Sequence, residues 1–92
     1  IESIDKESFK HMIYLKKLDL SCNKLIKADF EFPDKSILEE LNIRNNKINN
    51  IDKKCFLSIK KLKKLNLSWN KMTKLEDDIF ENLIFLIELN LR

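Results

Sequence analysis

Glycine is absent from this chain of 92 residues, and proline, histidine, tryptophan and tyrosine occur only once each. A chain without glycine cannot build a glycine-rich phosphate loop, and His11 alone is a poor basis for acid–base catalysis. Of the 18 basic residues only Arg44 and Arg92 are arginine, which is a poor set for reading bases or clamping phosphates. No run approaches the roughly 18 apolar residues of a membrane span. The composition therefore predicts no enzyme, no cofactor, no metal site and no nucleic-acid partner.

One phrase recurs four times along the chain. It reads LKKLDLSCNKL from Leu15, LEELNIRNNKI from Leu38, LKKLNLSWNKM from Leu62 and LIELNL from Leu86, at offsets of 23, 24 and 24 residues. Every apolar position of the shared template LxxLxLxxNxL holds leucine, isoleucine or methionine. The chain is therefore an array of repeats, and the repeat decides the fold.

Phenylalanine follows the phrases in the same register. Phe56 and Phe80 come at one offset after the second and third phrases, and Phe9, with Ile1 and Ile4, continues this spacing ahead of the first. We expect the three phenylalanines to stack on the return side of the array.

The second repeat departs from the pattern. It is one residue short, has Ala28 where its neighbours have isoleucine or leucine, and holds Phe30, Phe32 and Pro33 in place of a single phenylalanine. Its outer side should be irregular.

Apolar and polar residues alternate inside each phrase, as at Leu18 and Leu20, which predicts a short strand. Copies about 24 residues apart cannot be hairpins, so the strands are parallel, and return arms bring the chain back about 4.8 Å away. Asn23, Asn46 and Asn70 fall where the chain turns inward, and we expect their amides to bond main-chain groups of their own coil and the next. The predicted fold class is an α/β-type solenoid with irregular or short helical return arms.

A helical bundle rich in lysine, leucine and glutamate is the opposing interpretation. Leu18 and Leu20 would lie about 200° apart on a helix. No helical stripe also requires asparagine at the same offset three times. The spacing therefore favours the solenoid.

These phrases resemble the leucine-rich repeat family, and the 24-residue length with a phenylalanine in the return arm is similar to its typical, mostly extracellular class. LDLSCNKL and LNLSWNKM are most similar to segments of Toll-like receptor ectodomains and related secreted or membrane-anchored proteins. The resemblance implies a right-handed, non-enzymatic recognition scaffold that binds its partners on the concave strand face. Cysteine-rich caps are typical of extracellular members, and their absence leads us to expect that residues 1–92 are a segment of about four uncapped coils from a longer array.

Strand residues between the buried leucines should point outward onto the concave face, because successive side chains alternate between faces. They form three columns, which are Lys17, Glu40, Lys64 and Glu88; Asp19, Asn42, Asn66 and Asn90; and Ser21, Arg44, Ser68 and Arg92. The alternating charges of the first column predict ion pairs between neighbouring strands. The columns are our candidate ligand-binding residues, although each of them also suits a solvated sheet surface.

Two further positions have both a functional and a structural interpretation. Trp69 follows the third strand at the concave rim, where it would either contact a ligand or lie flat across the asparagine turn. Asn66, Leu67 and Ser68 form a glycosylation acceptor sequence, which matters only in a secreted chain. An unmodified Asn66 in a stacked amide column is the alternative.

Residues 60–64 hold four lysines, which raises the hypothesis of a polyanion site. The run straddles the start of a strand, so its members should point several ways and form a solvated edge. Cys22 and Cys55 should fall on different sides of adjacent coils, beyond the roughly 7 Å that a disulfide allows. We expect both to be free or paired outside this segment.

The sequence thus predicts a binding function without catalysis. The partner would be a protein or microbial ligand, with no small-molecule substrate, and any membrane attachment would lie outside this segment. An extracellular receptor of innate immunity or adhesion is the first hypothesis. The alternatives are an intracellular repeat scaffold or regulatory subunit, with a cytoplasmic location, and a secreted matrix protein.

Overall fold

The computed structural model describes residues 8–72, 80, 81, 83 and 85–91. The predicted places of Ile1, Ile4 and Arg92 in the repeat lie outside these residues. Six short strands and one 3₁₀ helix are present in the described part of the chain. In chain order they are β1 (Lys17–Asp19), β2 (Lys27–Ala28), β3 (Glu40–Asn42), β4 (Asn50–Ile51), the 3₁₀ helix (Lys53–Phe56), β5 (Lys64–Asn66) and β6 (Glu88–Asn90).

The four strands of the leucine phrases form one parallel sheet in the order β1-β3-β5-β6. Their central residues are in register, from Leu18 through Leu41 and Leu65 to Leu89. Each phrase is therefore one rung, and its neighbours in sequence are its neighbours in space. The prediction of a solenoid with short parallel strands is confirmed.

A single apolar core fills the space between this sheet and the return arms. It combines residues from the strands, the inward turns and the arms. Each strand contributes only every second residue, because successive side chains of a strand point to opposite faces of the sheet. The buried members include Leu25, Leu38, Leu41, Ile43, Ile48, Phe56, Ile59, Leu62, Leu65 and Leu67.

The outer side contains a second, two-stranded parallel sheet, β2 with β4, which the sequence did not predict. Ala28 of β2 is fully buried and pairs with Ile51 of β4, so the small residue still occupies the repeat position that its neighbours fill with larger side chains. In the following arm, Asp52 caps the 3₁₀ helix by accepting a hydrogen bond from the Lys54 N–H at 3.0 Å. The expectation of irregular or short helical arms is confirmed, with this sheet as an addition.

The aromatic stack on the return side is interrupted. Phe56 and Phe80 do pack together, with ring centroids 5.8 Å apart. Phe9 instead packs on the two phenylalanines of the irregular second repeat, at 5.8 Å from Phe30 and 5.6 Å from Phe32. The prediction that Phe9, Phe56 and Phe80 form one stack was therefore wrong, because the extra rings of the second arm fill the space between them.

Asparagine side chains join successive coils at the inward turn. Nδ2 of Asn46 donates to the carbonyls of Ile43 (3.0 Å) and Leu20 (3.1 Å), and its Oδ1 accepts from the Leu25 N–H at 3.2 Å. Asn70 repeats this pattern one coil later, with the Ile43 carbonyl as its partner in the other coil. We refer to these bonds as the asparagine ladder.

The ladder runs in the direction opposite to our expectation. Asn46 and Asn70 bond to their own coil and to the preceding one, whereas the sequence led us to name the next coil. The Leu25 N–H donates to Asn46 of the coil that follows, and the Leu20 carbonyl accepts from Asn46 as well as from Asn23 of its own coil, at 2.9 Å.

A residue with left-handed backbone conformation precedes each of the three turn asparagines, Asn23, Asn46 and Asn70. Cys22, Asn45 and Trp69 have φ of 60°, 57° and 59°. Asparagine tolerates this region, whereas cysteine and tryptophan adopt it at a cost on the order of 1 kcal/mol or more. Backbone bonds to the next coil hold the first two turns, from Cys22 N to Arg44 O and from Asn45 N to Ser68 O, both 2.9 Å. This is how a chain without glycine turns so sharply.

Truncation of Phe56 tests the packing of the return side. Phe56 is 1% exposed, so Phe56→Ala should lower the free energy of unfolding by about 3–5 kcal/mol, through lost transfer energy and a cavity. Phe85→Ala is the matched control, since Phe85 is 55% exposed, and it should cost less than about 1 kcal/mol. Urea unfolding followed by far-ultraviolet circular dichroism measures both. A cost below about 1 kcal/mol for Phe56→Ala would remove this residue from the core.

Candidate binding face

We call the four-stranded sheet β1-β3-β5-β6 the inner sheet. Its outward-facing residues line an open groove of about 420 Å³. Its sides are the first two predicted columns, and the strand leucines form its floor. The lining residues that the sequence predicted are Lys17, Asp19, Glu40, Asn42, Lys64, Asn66, Glu88 and Asn90. The alternation of faces along each strand is what brings residues from four distant stretches of sequence onto this surface.

The third predicted column does not line the groove. Ser68 is buried, Ser21 is half-buried and Arg44 is exposed outside the lining, while Arg92 lies outside the described residues. The expected outward placement was wrong for Ser68, because β5 ends at Asn66 and the chain turns before Ser68. For Ser21, Arg44 and Arg92 a role in ligand contact stays a prediction. Each chain segment already curls inward after Asp19, Asn42 or Asn66.

Charge pairing in the first column is partial. Lys17 Nζ lies 3.3 Å from Glu40 Oε2, which confirms the predicted ion pair between β1 and β3. Between the described residues of the next two steps, Glu40 to Lys64 and Lys64 to Glu88, no ion pair forms within 4 Å, so the prediction was wrong there. With respect to the described residues, the groove therefore presents an ammonium group at Lys64 and a carboxylate at Glu88 that have no ion pair.

The second column is held by hydrogen bonds to its own backbone. Oδ1 of Asp19, Asn42 and Asn66 accepts the N–H two residues later, at 2.9, 3.0 and 3.0 Å. The hydroxyl groups of Ser21 and Ser68 add a second bond to Asp19 and Asn66. The pKa of Asp19 is lowered by these bonds from Ser21, because they favour the charged carboxylate.

This arrangement fixes what the two asparagines offer to a ligand. Because their oxygens are used by the backbone, the Nδ2 groups of Asn42 and Asn66 are left over, and neither has a hydrogen-bond acceptor among the described residues. Both residues are half-buried in the groove wall. The centre of the groove therefore presents amide donors with restricted orientation.

Trp69 is 63% exposed but does not line the groove. It occupies the left-handed position of the third turn, in line with Cys22 and Asn45 of the preceding coils, whose side chains meet with Asn45 Nδ2 3.6 Å from Cys22 Sγ. The large aromatic face is thus available at the rim. Its role in ligand contact stays a prediction.

The lysines at 60–64 do not form one basic patch. Lys64 points into the groove, Lys63 lies 4.0 Å from Glu39 of the preceding coil, and Lys60 and Lys61 are exposed in the turn before β5. Their division over different surfaces agrees with the expectation of a solvated edge.

A second groove, on the outer side, was missed by the sequence reasoning. It has a volume of about 530 Å³ and lies between the irregular second arm and its neighbours, with Phe32, Pro33 and Leu57 as apolar lining and Asp34 bonded to Ser58 across it. His11 lies at this groove and not at the concave face. The departure of the second repeat from the template was the only signal in the sequence.

Cys22 and Cys55 do not pair with each other, as expected, and both are free cysteines here. Cys22 is exposed at the first turn, whereas Cys55 is buried in the 3₁₀ helix. Burial raises the pKa of Cys55 to about 12, and the nearby carboxylates of Asp52 and Asp29 add to the shift. In the part of the chain that the structure describes, no cluster of histidine, cysteine and acidic residues is suited to a metal ion. None of its helical segments is long and apolar enough to span a bilayer.

Comparison with known protein families agrees with this architecture. A family model described as Leucine rich repeat matches residues 36–92, which is more than half of the chain, and a second model of the same description matches residues 11–29. The chain belongs to the leucine-rich repeat family. A search of curated proteins found no match. Leucine-rich repeats generally mediate protein–protein interaction and are typically non-enzymatic binding modules.

Thiol labelling tests the contrast between the two cysteines. At about pH 8 Cys22 should react fast, and Cys55 should react only when the chain unfolds, because its thiolate is disfavoured by burial.

The raised pKa of Cys55 also predicts pH-dependent stability. The folded state binds the Cys55 proton more tightly than the unfolded state, so the free energy of unfolding should fall as the pH rises from about 9 towards about 12. A Cys55→Ala variant should lack this fall, and equal labelling rates for the two thiols in the folded chain would contradict the assignment.

Proposed function

We propose that this chain recognises a partner protein through the groove of its concave sheet. The observation that carries the proposal is the register of the inner sheet, which places polar side chains of four successive coils side by side on one accessible surface. Extended concave surfaces of this kind are what solenoid proteins use for binding.

The chemistry of the groove favours a partner surface rich in hydrogen-bond acceptors. Asn42 and Asn66 offer amide donors next to the ammonium group of Lys64. Glu40 is engaged by Lys17, and Glu88 at the far end is a carboxylate without an ion pair among the described residues. A partner with carbonyl or carboxylate groups over the middle coils and a basic residue near Glu88 would complement this pattern.

As a finer proposal, the chain is part of an extracellular receptor ectodomain in innate immunity or adhesion, with a protein or microbial ligand. Its support is the similarity of the first and third phrases to Toll-like receptor segments and the groove just described. A glycan on Asn66 would fill the middle of this groove, so the proposal requires Asn66 to be unmodified. Intact-mass measurement of protein from a secretory host checks this point.

An intracellular scaffold in a reducing compartment of the cell is the second candidate. Its support is the exposed, free thiol of Cys22, because exposed thiols persist most readily in reducing compartments. The oxidation state of Cys22 in protein isolated from its native cells separates the two locations. A disulfide at Cys22 supports the extracellular proposal, and a free thiol supports the intracellular one.

Photo-crosslinking locates the binding face. A photoreactive residue at position 66, in the groove, should yield a defined partner from extracts or culture medium of the source cells, whereas the same residue at position 34, on the outer side, should not. Binding of the identified partner is then compared for Lys64→Glu and for Lys60→Glu, which changes the charge equally but lies outside the groove.

Lys64→Glu should weaken the affinity by about tenfold or more, equivalent to about 1.4 kcal/mol, since it removes a cation and adds repulsion in the groove. Lys60→Glu should change it by less than about twofold. Equal effects of the two substitutions, or crosslinks obtained only from position 34, would contradict binding through the concave face.

A further inference from the structure

Three successive phrases place a lysine directly after the turn asparagine. These residues are Lys24, Lys47 and Lys71, and all three side chains are exposed. The backbones of neighbouring coils are joined at this position, since the Lys47 N–H donates to the Leu25 carbonyl at 2.8 Å and the Lys71 N–H donates to the Ile48 carbonyl at 2.9 Å. The register of the coils therefore stacks three lysines in one column along the array.

This column lies on the side of the molecule between the inward turn and the β2–β4 sheet. Ile26 and Lys27 follow Lys24 on the same segment and are also exposed, Ile26 at 49%. The Ile26 carbonyl accepts from the Asn49 N–H at 3.0 Å, and Lys27 pairs with Asn50 between β2 and β4. We call the exposed residues of this side the turn flank, and they are Lys24, Ile26, Lys27, Lys47, Asn49, Asn50 and Lys71.

No carboxylate balances the charge of the turn flank. Residues 22–28, 45–51 and 69–72, which form this side, contain neither aspartate nor glutamate. None of the four flank lysines forms an ion pair with another described residue. The first column of the concave face is different, because it alternates lysine with glutamate and forms the ion pair of Lys17 with Glu40.

Stacked lysines repel each other, and the fold does not require them. Like charges at directly opposite positions of neighbouring strands are destabilising. The turn needs the asparagine before each lysine, and the core needs the buried residue after it, as at Leu25 and Ile48. The exposed position between them is free to hold any polar residue. An anionic partner would therefore relieve a repulsion that the free chain carries.

Two features of the turn flank indicate the kind of anion. The ammonium group of lysine is a hydrated point charge on a flexible stem, whereas the planar fork of arginine suits nucleic-acid phosphates. The flank contains lysine only, so it responds to charge density. Ile26 then places an exposed apolar side chain between Lys24 and Lys27. A soluble polyanion offers no apolar layer for this side chain, but the surface of an anionic bilayer combines charged headgroups with an apolar interior.

We propose that the turn flank binds the surface of an anionic phospholipid bilayer. The four ammonium groups lie among the headgroups with their apolar stems along the boundary, and Ile26 enters this boundary. None of the flank residues lines the concave groove, so the groove stays accessible, and the proposal does not depend on the function proposed for it. The sequence led us to expect membrane attachment only outside this segment, because stacking of the coils is what brings Lys24, Lys47 and Lys71 together.

Co-sedimentation with lipid vesicles measures this contact. One set of vesicles consists of phosphatidylcholine, and the other also contains about one-third phosphatidylserine. The chain should bind only the anionic vesicles, and a rise in salt from about 0.1 M to about 0.5 M should weaken this binding by about tenfold or more, because exposed charges are screened. Equal binding to both sets, or no binding to the anionic vesicles, overturns the proposal.

A pair of charge variants locates the contact on the protein. Lys47→Glu, in the middle of the column, should weaken binding to the anionic vesicles by about tenfold or more, because it replaces an attraction with a repulsion. Lys60→Glu makes the same charge change in the lysine-rich segment 60–64, away from the turn flank, and should weaken binding by less than about threefold. Equal effects of the two variants overturn the proposal. Circular dichroism reports whether each variant folds, and Lys24→Glu takes the place of Lys47→Glu if that variant unfolds.

Ile26→Asn separates a bilayer from a soluble polyanion. It introduces the residue that the next coil has at this position, Asn49, and leaves the charge unchanged. Binding to the anionic vesicles should fall by about threefold or more, because the apolar contact is lost, while binding to heparin in solution should stay within about 1.5-fold. Vesicle binding by Ile26→Asn equal to that of the unmodified chain overturns the bilayer as the partner, and the turn flank is then a site for a soluble polyanion.

Discussion

The rest of this structure depends on the hydrogen bonding of the inward turn. Main-chain groups at this turn are shielded from water, so other groups of the protein must be their hydrogen-bond partners, and the chain has no glycine with which to make the turn. The amide of Asn46 meets this constraint with bonds to the Ile43 and Leu20 carbonyls and to the Leu25 N–H. A buried polar group without a partner costs on the order of 1–3 kcal/mol, so a turn that leaves several unpaired would be strongly disfavoured. Asn46 and Asn70 therefore each tie their coil to the coil before it.

The binding face depends on this tie. The turn fixes where each strand ends. After Asn42 and Asn66 the chain curves, so that the N–H two residues later donates a hydrogen bond to the asparagine side-chain oxygen. What the groove presents, amide donors and the ammonium group of Lys64, is thus a consequence of the turn as much as of the strand. The same turn positions Trp69 outside the groove.

The sequence was sufficient for the fold because the signal is repeated. Leucine spacing alone led to the parallel strands, to their register and to the two columns that line the groove, since the alternation of faces is a rigid property of strands. It failed where one repeat differs from the template. The rings of Phe30 and Phe32 interrupt the aromatic stack, and the pairing of Ala28 with Ile51 creates a second sheet, and both depend on how neighbouring arms pack.

Smaller errors had similar causes. The third column was misplaced at Ser68 because strand length cannot be read from alternation once a turn begins. The ladder's direction depends on which open groups face which coil, and only coordinates give this. Ion pairs expected from alternating charge formed at Lys17 and Glu40 but not further along, because exposed lysine side chains gain little from a fixed geometry.

Amide hydrogen exchange measured by NMR tests the asparagine ladder most directly. The Leu25 and Ile48 N–H groups bond to Asn46 and Asn70 side chains, whereas the adjacent Lys24 N–H has no partner among the described residues. Leu25 and Ile48 should exchange slower than Lys24 by a protection factor on the order of 100 or more. In Asn46→Ala, the protection of Leu25 should be lost first. Exchange of Leu25 as fast as that of Lys24 in the unmodified chain would contradict the claim that asparagine side chains join the coils.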